Sequence, residues 1–123
     1  MALSRDQKKS LHVLAYLMFR MGQEERARRI YAVLSSLAPA DKPDRQALAA
    51  LAAIDIENGR GAEALAHLRA AMDGALSSRA AVLHLMKAQA LQLEGREAEA
   101  CAARDEFLFL TEKAAEKAKG ADA

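Results

Sequence analysis

Several residue types are scarce in this chain of 123 residues, and each shortage argues against a class of protein. Val, Ile and Thr together occur seven times against 30 alanines. Strands favour branched side chains and helices favour Ala, so this balance argues against a β-rich fold. Tryptophan is absent, and aromatic residues make up 4%. The single cysteine, Cys101, cannot form an internal disulfide, so nothing indicates an oxidising compartment.

The chain also lacks an excess of one charge and a long apolar run. Its 18 basic and 17 acidic residues give a formal net charge of +1, whereas nucleic-acid-binding domains usually carry a basic excess. The longest unbroken apolar run, residues 47–54, is far too short to span a membrane. His12 and Tyr16 interrupt the apolar stretch 11–19, which resembles a helix face more than a signal peptide. We therefore expect a cytoplasmic protein with no nucleic-acid partner and no stable membrane insertion.

Three segments share a spacing of glycine and alanine. In each, a glycine is followed five residues later by one alanine and preceded seven residues earlier by another, and successive glycines are 37 and 36 residues apart. The glycines are Gly22, Gly59 and Gly95, the following alanines Ala27, Ala64 and Ala100, and the preceding alanines Ala15, Ala52 and Ala88. Such a period indicates a stack of similar helical units.

Apolar periodicity predicts two helices in each repeat. From Gln7 to Met21, apolar residues recur at the spacing of one helix face, and Gly22 ends that helix because glycine readily adopts the left-handed conformation. Further helices are expected over about 24–37, 44–57, 62–75, 78–94 and from 97 towards 119, with Ser77 or Ser78 capping the fifth. We therefore predict an all-α fold of six helices, in which three helix-turn-helix hairpins stack on one another and the last helix is long.

The repeats also predict the packing and the domain limits. Paired alanines allow the two helices of a hairpin to approach closely, and Cys101, beside Ala100, is expected to be a small buried residue. The larger residues expected to fill the wedge between hairpins are Leu14, Tyr31, Leu51 and Leu68. The predicted limits are an N-terminal tail at 1–6, a three-repeat domain at 7–112 with repeats at about 8–41, 45–78 and 81–112, and a charged C-terminal extension at 113–123.

No residue pattern indicates catalysis or metal binding. His12, His67 and His84 fall in three different helices, without a partner at i+4 and without Cys, Asp or Glu at a ligand spacing. The turn at 59–61 lacks the flanking strand and the spacing of a phosphate-binding loop. Because no acid–base pair or nucleophile constellation is visible, we expect a protein that is not an enzyme and uses no cofactor or metal.

The spacing resembles the tetratricopeptide repeat, whose period is 34 residues. The first repeat matches best, at Leu11, Leu14, Ala15, Met18, Gly22, Ala27, Tyr31, Leu34 and Pro39. The second departs at Asp55, where an apolar or aromatic residue is expected, and the third departs at Lys87 and Arg104. The resemblance covers about residues 8–112, and it implies a short right-handed solenoid of stacked hairpins whose first helices line a concave face.

A chain with three such repeats is similar to the small cytosolic chaperones of bacterial type III secretion systems, and most similar to the YscY-like chaperones. The points of likeness are the helix start at Asp6-Gln7, the turn at 22–27, the segment 87–95 and a long last helix with Phe107 and Leu110. The resemblance implies a bacterial cytoplasmic protein that binds a small secreted export-apparatus component and helps it dock at a membrane export gate. Needle-subunit and translocator chaperones also have three repeats, so the subtype stays open.

The expected concave face supplies the candidate partner-binding residues. They are His12, Tyr16, Phe19, Arg20, Ala49, Ala53, Ile56, Leu85, Gln89 and Gln92. Several are apolar at positions that normally face solvent, which is typical of a partner site. Ala49 and Ala53 leave room for a bulky side chain from a helical or extended segment.

Two observations bear on the kind of partner. His12 and Tyr16 occupy places where related repeats use Lys and Asn to bind a C-terminal carboxylate, which argues against that class of ligand. Two alternatives stay open for the concave face. The last helix covers it, or a second copy of the chain covers it and forms a homodimer when the partner is absent. A scaffold that self-assembles through its repeats, with no role in secretion, is the other candidate function.

Overall fold

The computed structural model describes residues 3–73 and 80–121, and every regular element in these ranges is a helix. The six helices are α1 (Arg5–Arg20), α2 (Glu24–Leu37), α3 (Arg45–Glu57), α4 (Gly61–Met72), α5 (Ala80–Leu93) and α6 (Glu97–Ala121). Packing pairs α1 with α2, α3 with α4, and α5 with α6, while contacts of α2 with α3, α4 with α5, and α3 with α5 join the pairs. The predicted all-α helical repeat with a long last helix is confirmed.

Two helix limits differ from the prediction. Helix α1 begins at Arg5, earlier than predicted, because Ser4 and Gln7 form a capping box. The Gln7 backbone N–H donates to Ser4 Oγ at 3.1 Å, and the Ser4 backbone N–H donates to Gln7 Oε1 at 2.8 Å. Helix α4 ends at Met72 rather than at 75, and the cap predicted at 77 or 78 lies outside the described residues.

The first helix of each hairpin ends at a glycine with positive φ. Gly22, Gly59 and Gly95 have φ of 80°, 72° and 72°, a conformation that strains residues with a side chain. The backbone N–H after each glycine donates to the carbonyl five residues back, at 2.8, 2.8 and 2.9 Å, which closes the helix end. The glycine spacing is therefore a backbone requirement of the repeat.

Small residues and leucines form the core. Ala15, Ala27, Ala47, Ala52 and Ala64 are fully buried, so the helices approach closely. Of the predicted wedge residues, Tyr31, Leu51 and Leu68 are buried at 6%, 4% and 1% exposure.

The prediction that Leu14 fills the wedge is wrong, because its side chain is 41% exposed. Leu14 stands on the side of α1 that faces away from the second hairpin. Its counterpart one repeat later, Leu51, is buried against the first hairpin.

Candidate functional site

The candidate site is the surface formed by the first helices of the hairpins. Because the glycines fix the repeat register, residues 37 and then 36 apart occupy equivalent positions. Tyr16, Ala53 and Gln89 form one such row. Direct packing of α3 on α5 places two of these helices side by side.

Four predicted residues come together at the third hairpin. A depression of about 380 Å³, where α3 meets α5, is lined by Ile56, Gln89, Gln92 and Leu93. A second depression of about 300 Å³, between α5 and α6, is lined by Leu85, Ala88, Gln89, Gln92, Glu97, Ala100, Cys101 and Arg104. Since Gln89 and Gln92 line both depressions, the two form one continuous surface, here called the trough.

Sequence reasoning missed the wall that α6 contributes to the trough. Glu97, Cys101 and Arg104 line it, and the prediction that Cys101 is buried is wrong, because its side chain is exposed. Cys101 is the equivalent of Arg28 and Leu65, which stand where the next hairpin packs. Within the described residues no hairpin follows α6, so this position is uncovered. The sequence signal that could have predicted the exposure of Cys101 is its position in the third of the three repeats.

Apart from Ile56, the predicted residues of the first two hairpins lie outside the two depressions of the trough. Tyr16 is 55% exposed, and Phe19 packs partly buried against the first core cluster. Burial raises the pKa of the Tyr31 phenol, and the nearby Tyr16 raises that pKa further. Among the other predicted site residues of these two hairpins, Arg20 is exposed, and Ala49 and Ala53 are half-buried.

His12 holds two hairpins together. Its Nε2 lies 2.9 Å from Asp44 Oδ2, and its side chain is only 14% exposed. The other oxygen of Asp44 accepts the backbone N–H of Ala47 at 3.0 Å and caps α3. The His12 and Tyr31 rings lie 6.1 Å apart. This histidine therefore orients α1 against the start of α3 and presents little surface to a partner.

Asp55, the departure from the repeat pattern, is a fully buried carboxylate between three helices. Arg28 Nη1 donates to its Oδ1 at 2.6 Å, and His67 Nδ1 lies 2.8 Å from its Oδ2. A buried charge is costly unless it is paired and hydrogen-bonded, and here both oxygens have a partner. Asp55 therefore links α2, α3 and α4 through hydrogen bonds that an apolar residue cannot make.

No protein-family model and no curated protein matches the chain. Among the described helices, none has both the length and the apolar character required to cross a membrane. In residues 3–73 and 80–121, no three His, Cys, Asp or Glu side chains are grouped so as to hold a metal ion. Function is therefore inferred from the surface of the helical repeat.

Proposed function

We propose that this protein is a non-enzymatic chaperone that binds a segment of one small protein along its concave face and keeps that protein soluble. The observation that carries the proposal is the exposure of apolar side chains on this face. Tyr16, Leu85 and Leu93 are 55%, 36% and 48% exposed. Exposed apolar side chains that share one face with polar groups usually mark a partner site.

The path of the last helix supports an external occupant. Helix α6 packs along α5 and forms one wall of the trough. It therefore leaves the surface between α3 and α5 open to a segment of another protein.

The residues of the trough favour a segment with mixed chemistry. Ile56, Leu85 and Leu93 offer apolar contact, and the carboxamides of Gln89 and Gln92 both donate and accept hydrogen bonds. Such a combination of apolar anchors and polar groups is typical of protein interfaces. The segment that fits carries apolar side chains at intervals and presents polar groups between them.

The identity of the partner rests on the sequence resemblance. The small type III secretion chaperones bind secreted or export-apparatus components, and we propose the same class of partner and the bacterial cytoplasm as the location. Docking of the complex at a membrane export gate belongs to this proposal.

The test is a calorimetric titration of this chain with a purified small secreted component of a type III export apparatus. Leu85→Ala and Tyr16→Ala are each expected to weaken binding by about 1–3 kcal/mol, as truncated anchors do. Val33→Ala is the matched control, since Val33 is 49% exposed on α2, away from the concave face. Binding by the Leu85→Ala/Tyr16→Ala double variant that equals that of the unaltered protein would remove the concave-face proposal.

A scaffold that self-assembles, with no role in secretion, is the second candidate function. The observation that favours it is a group of apolar side chains on α1 outside the concave face, including Val13 and Met21 at 59% and 67% exposure. The titration separates the two functions, and light scattering of the isolated protein measures self-assembly beside it. A scaffold gains mass with concentration and does not bind the secreted protein.

A further inference from the structure

Helix α1 is apolar on two faces. One face, with Leu11, Ala15 and Met18, packs into the first core cluster. The other, here called the outer face of α1, consists of Val13, Leu14, Leu17 and Met21, which are 59%, 41%, 49% and 67% exposed. Their spacing forms one stripe along the helix. A helix that is apolar on two faces is typical of one covered on both sides.

The repeat itself shows what kind of surface fits the outer face of α1. Its residues Val13, Leu14 and Leu17 are equivalent to Ala50, Leu51 and Ile54 of α3. In α3, Leu51 and Ile54 are buried in the cluster that joins the first two hairpins. The outer face of α1 is therefore the surface by which a first helix packs on the second helix of a preceding hairpin.

The third hairpin uses the same surface. The α5 residues equivalent to Val13 and Leu17 are Met86 and Ala90, and both belong to the cluster that joins the second and third hairpins. Two of the three first helices thus cover this face with the second helix of the hairpin before them. Only α1 leaves it open within the described residues.

Among the second helices of the hairpins, α6 is the one whose outer surface no other described helix covers. It is equivalent to α2 and α4, and its Leu108 and Phe109 are 48% and 52% exposed. Leu108 is equivalent to Met72, which packs against the cluster between α4 and α5. Asp105 and Glu112, three residues before and four after Leu108, share its side of the helix.

Charge distinguishes α6 from a second α1 as the occupant. Helix α1 contains four basic residues and one acidic residue, whereas α6 contains six acidic and four basic residues. Opposite net charges attract the two helices across an interface, and two α1 helices repel each other. The α1 and α6 surfaces therefore match in apolar character and in charge.

We propose that copies of this chain associate head to tail, with the outer face of α1 of one copy packed on the Leu108 face of α6 of the next. The contact continues the stacking of hairpins across molecules. It is a heterologous interface, which extends unless one end is blocked. Tyr16 and Gln89 stay accessible, because they belong to a different row of residues, whereas Cys101 on the α6 wall of the trough shares the side of Leu108 and lies where the next copy packs.

The proposed interface is small. It uses one helix face from each copy, whereas stable complexes bury roughly 800 Å² per partner. Association is therefore expected at high protein concentration, and the test covers about 10 µM to about 500 µM.

The experiment is sedimentation equilibrium on variants that block one end each. Leu17→Glu blocks the α1 face, and Leu108→Lys blocks the α6 face; both residues are about half exposed, so the variants are expected to fold. The unaltered protein is expected to gain mass steadily with concentration, and each variant alone to remain a monomer. A mixture of the two variants retains one good α1 face and one good α6 face. It should form a dimer that grows no further.

Val33→Glu is the matched control, because Val33 is as exposed as Leu17, at 49%. Its equivalents Ala70 and Glu106 are also exposed, so the position lies outside the stacking surface. This variant should associate like the unaltered protein. Circular dichroism of every variant checks that the helices are retained.

Three results would overturn the proposal. The first is that the unaltered protein stays monomeric across the whole concentration range, which would leave the outer face of α1 to another protein. The second is that Leu108→Lys dimerises by itself, which would indicate a two-fold contact between α1 helices. The third is that Leu17→Glu associates as strongly as the unaltered protein, which would place the contact on another surface.

Discussion

The junction between the first two hairpins and the junction between the last two use the same helices of the repeat but different chemistry. At the first junction, polar side chains reach across: Arg28 to Asp55 and His12 to Asp44. At the second, small residues bring backbones together, as the fully buried Ala90 illustrates. Two solutions therefore satisfy one geometry, directed bonds in one case and close approach in the other.

One pair of equivalent positions makes the difference concrete. At the first junction, the Asn58 side chain donates a hydrogen bond to Glu24 and another, of 2.8 Å, to the Ile54 carbonyl. The equivalents at the second junction are Glu94 and Gly61. A Cβ on Gly61 would lie 2.7 Å from Glu94 Oε1 and 2.8 Å from the carbonyl oxygen of Ala90. The first junction thus holds a side-chain bond where the second admits no side chain.

The largest effect is expected from breaking the polar junction. Arg28→Met leaves the buried Asp55 carboxylate with one partner and should cost about 2–4 kcal/mol of unfolding free energy, below the usual cost because Arg28 is partly exposed. Arg29→Met, on the exposed neighbour, is the control and should change stability by less than about 0.5 kcal/mol. Urea unfolding measures both.

The double variant Arg28→Met/Asp55→Leu sharpens this prediction. It removes the buried carboxylate together with its partner, so most of the lost stability should return. Equal stabilities of Arg28→Met and Arg29→Met would contradict the role given to the ion pair.

A smaller effect is expected from crowding the close-packed junction. Gly61→Ala gains helix propensity, but its methyl group collides with α5, so we expect a net loss of about 1–2 kcal/mol. Gly120→Ala in α6 is the control, since nothing lies within 4 Å of the added atom. It should leave thermal stability equal or slightly higher.

The long side chain of Glu94 can move aside, whereas the Ala90 carbonyl belongs to the backbone of α5. Glu94→Ala should therefore not rescue Gly61→Ala. Full rescue would show that the backbones of α4 and α5 are not in close contact.

The smallest effect concerns pH and the third hairpin, whose His84 has no carboxylate bound to it among the described residues. Burial lowers the pKa of His84, and Lys87 lowers it as well, against an opposing effect of Glu106. Its pKa in the folded state thus lies below the unfolded value of about 6.5, and protonation favours unfolding. The stabilising contribution of neutral His84 is fully present above the unfolded-state pKa, and it is lost as the pH falls from there through the lower folded-state pKa.

His84→Gln removes this titration. The decrease in urea midpoint between about pH 7.5 and about pH 5.5 should therefore be smaller in the variant than in the unaltered protein. Parallel curves for the two proteins would show that His84 has the same proton affinity in both states.

Local signals explain which parts of the fold were predictable. Helix α2 was predicted at both ends, Glu24 and Leu37, because a glycine turn precedes it, Pro39 follows it, and its apolar residues keep one period. Helix α1 begins two residues before the start that its apolar period predicts, because the Ser4 capping box lies outside that period. For the candidate site, the repeat register was enough to group Ile56, Leu85 and Gln89, since their three rows lie on the same face of the first helices.

The remaining parts of the site depend on neighbours that are distant in sequence. Arg28 and His67 lie 27 and 12 residues from Asp55, and no spacing rule brings them to one carboxylate. The exposure of Leu14 and Cys101 was missed because both residues stand where a neighbouring hairpin would pack. Periodicity assigns a residue to a helix face, but it does not say whether that face is covered.

The amino-acid sequence by itself determined an all-α repeat of three hairpins, because helix propensity, left-handed glycines and apolar spacing act within a few residues along the chain. Only the tertiary structure decided that Asp55 is a buried link, that α6 forms a wall of the trough, and that α1 keeps an open apolar face. These features depend on which helix surfaces meet, and that depends on the packing of all six helices together.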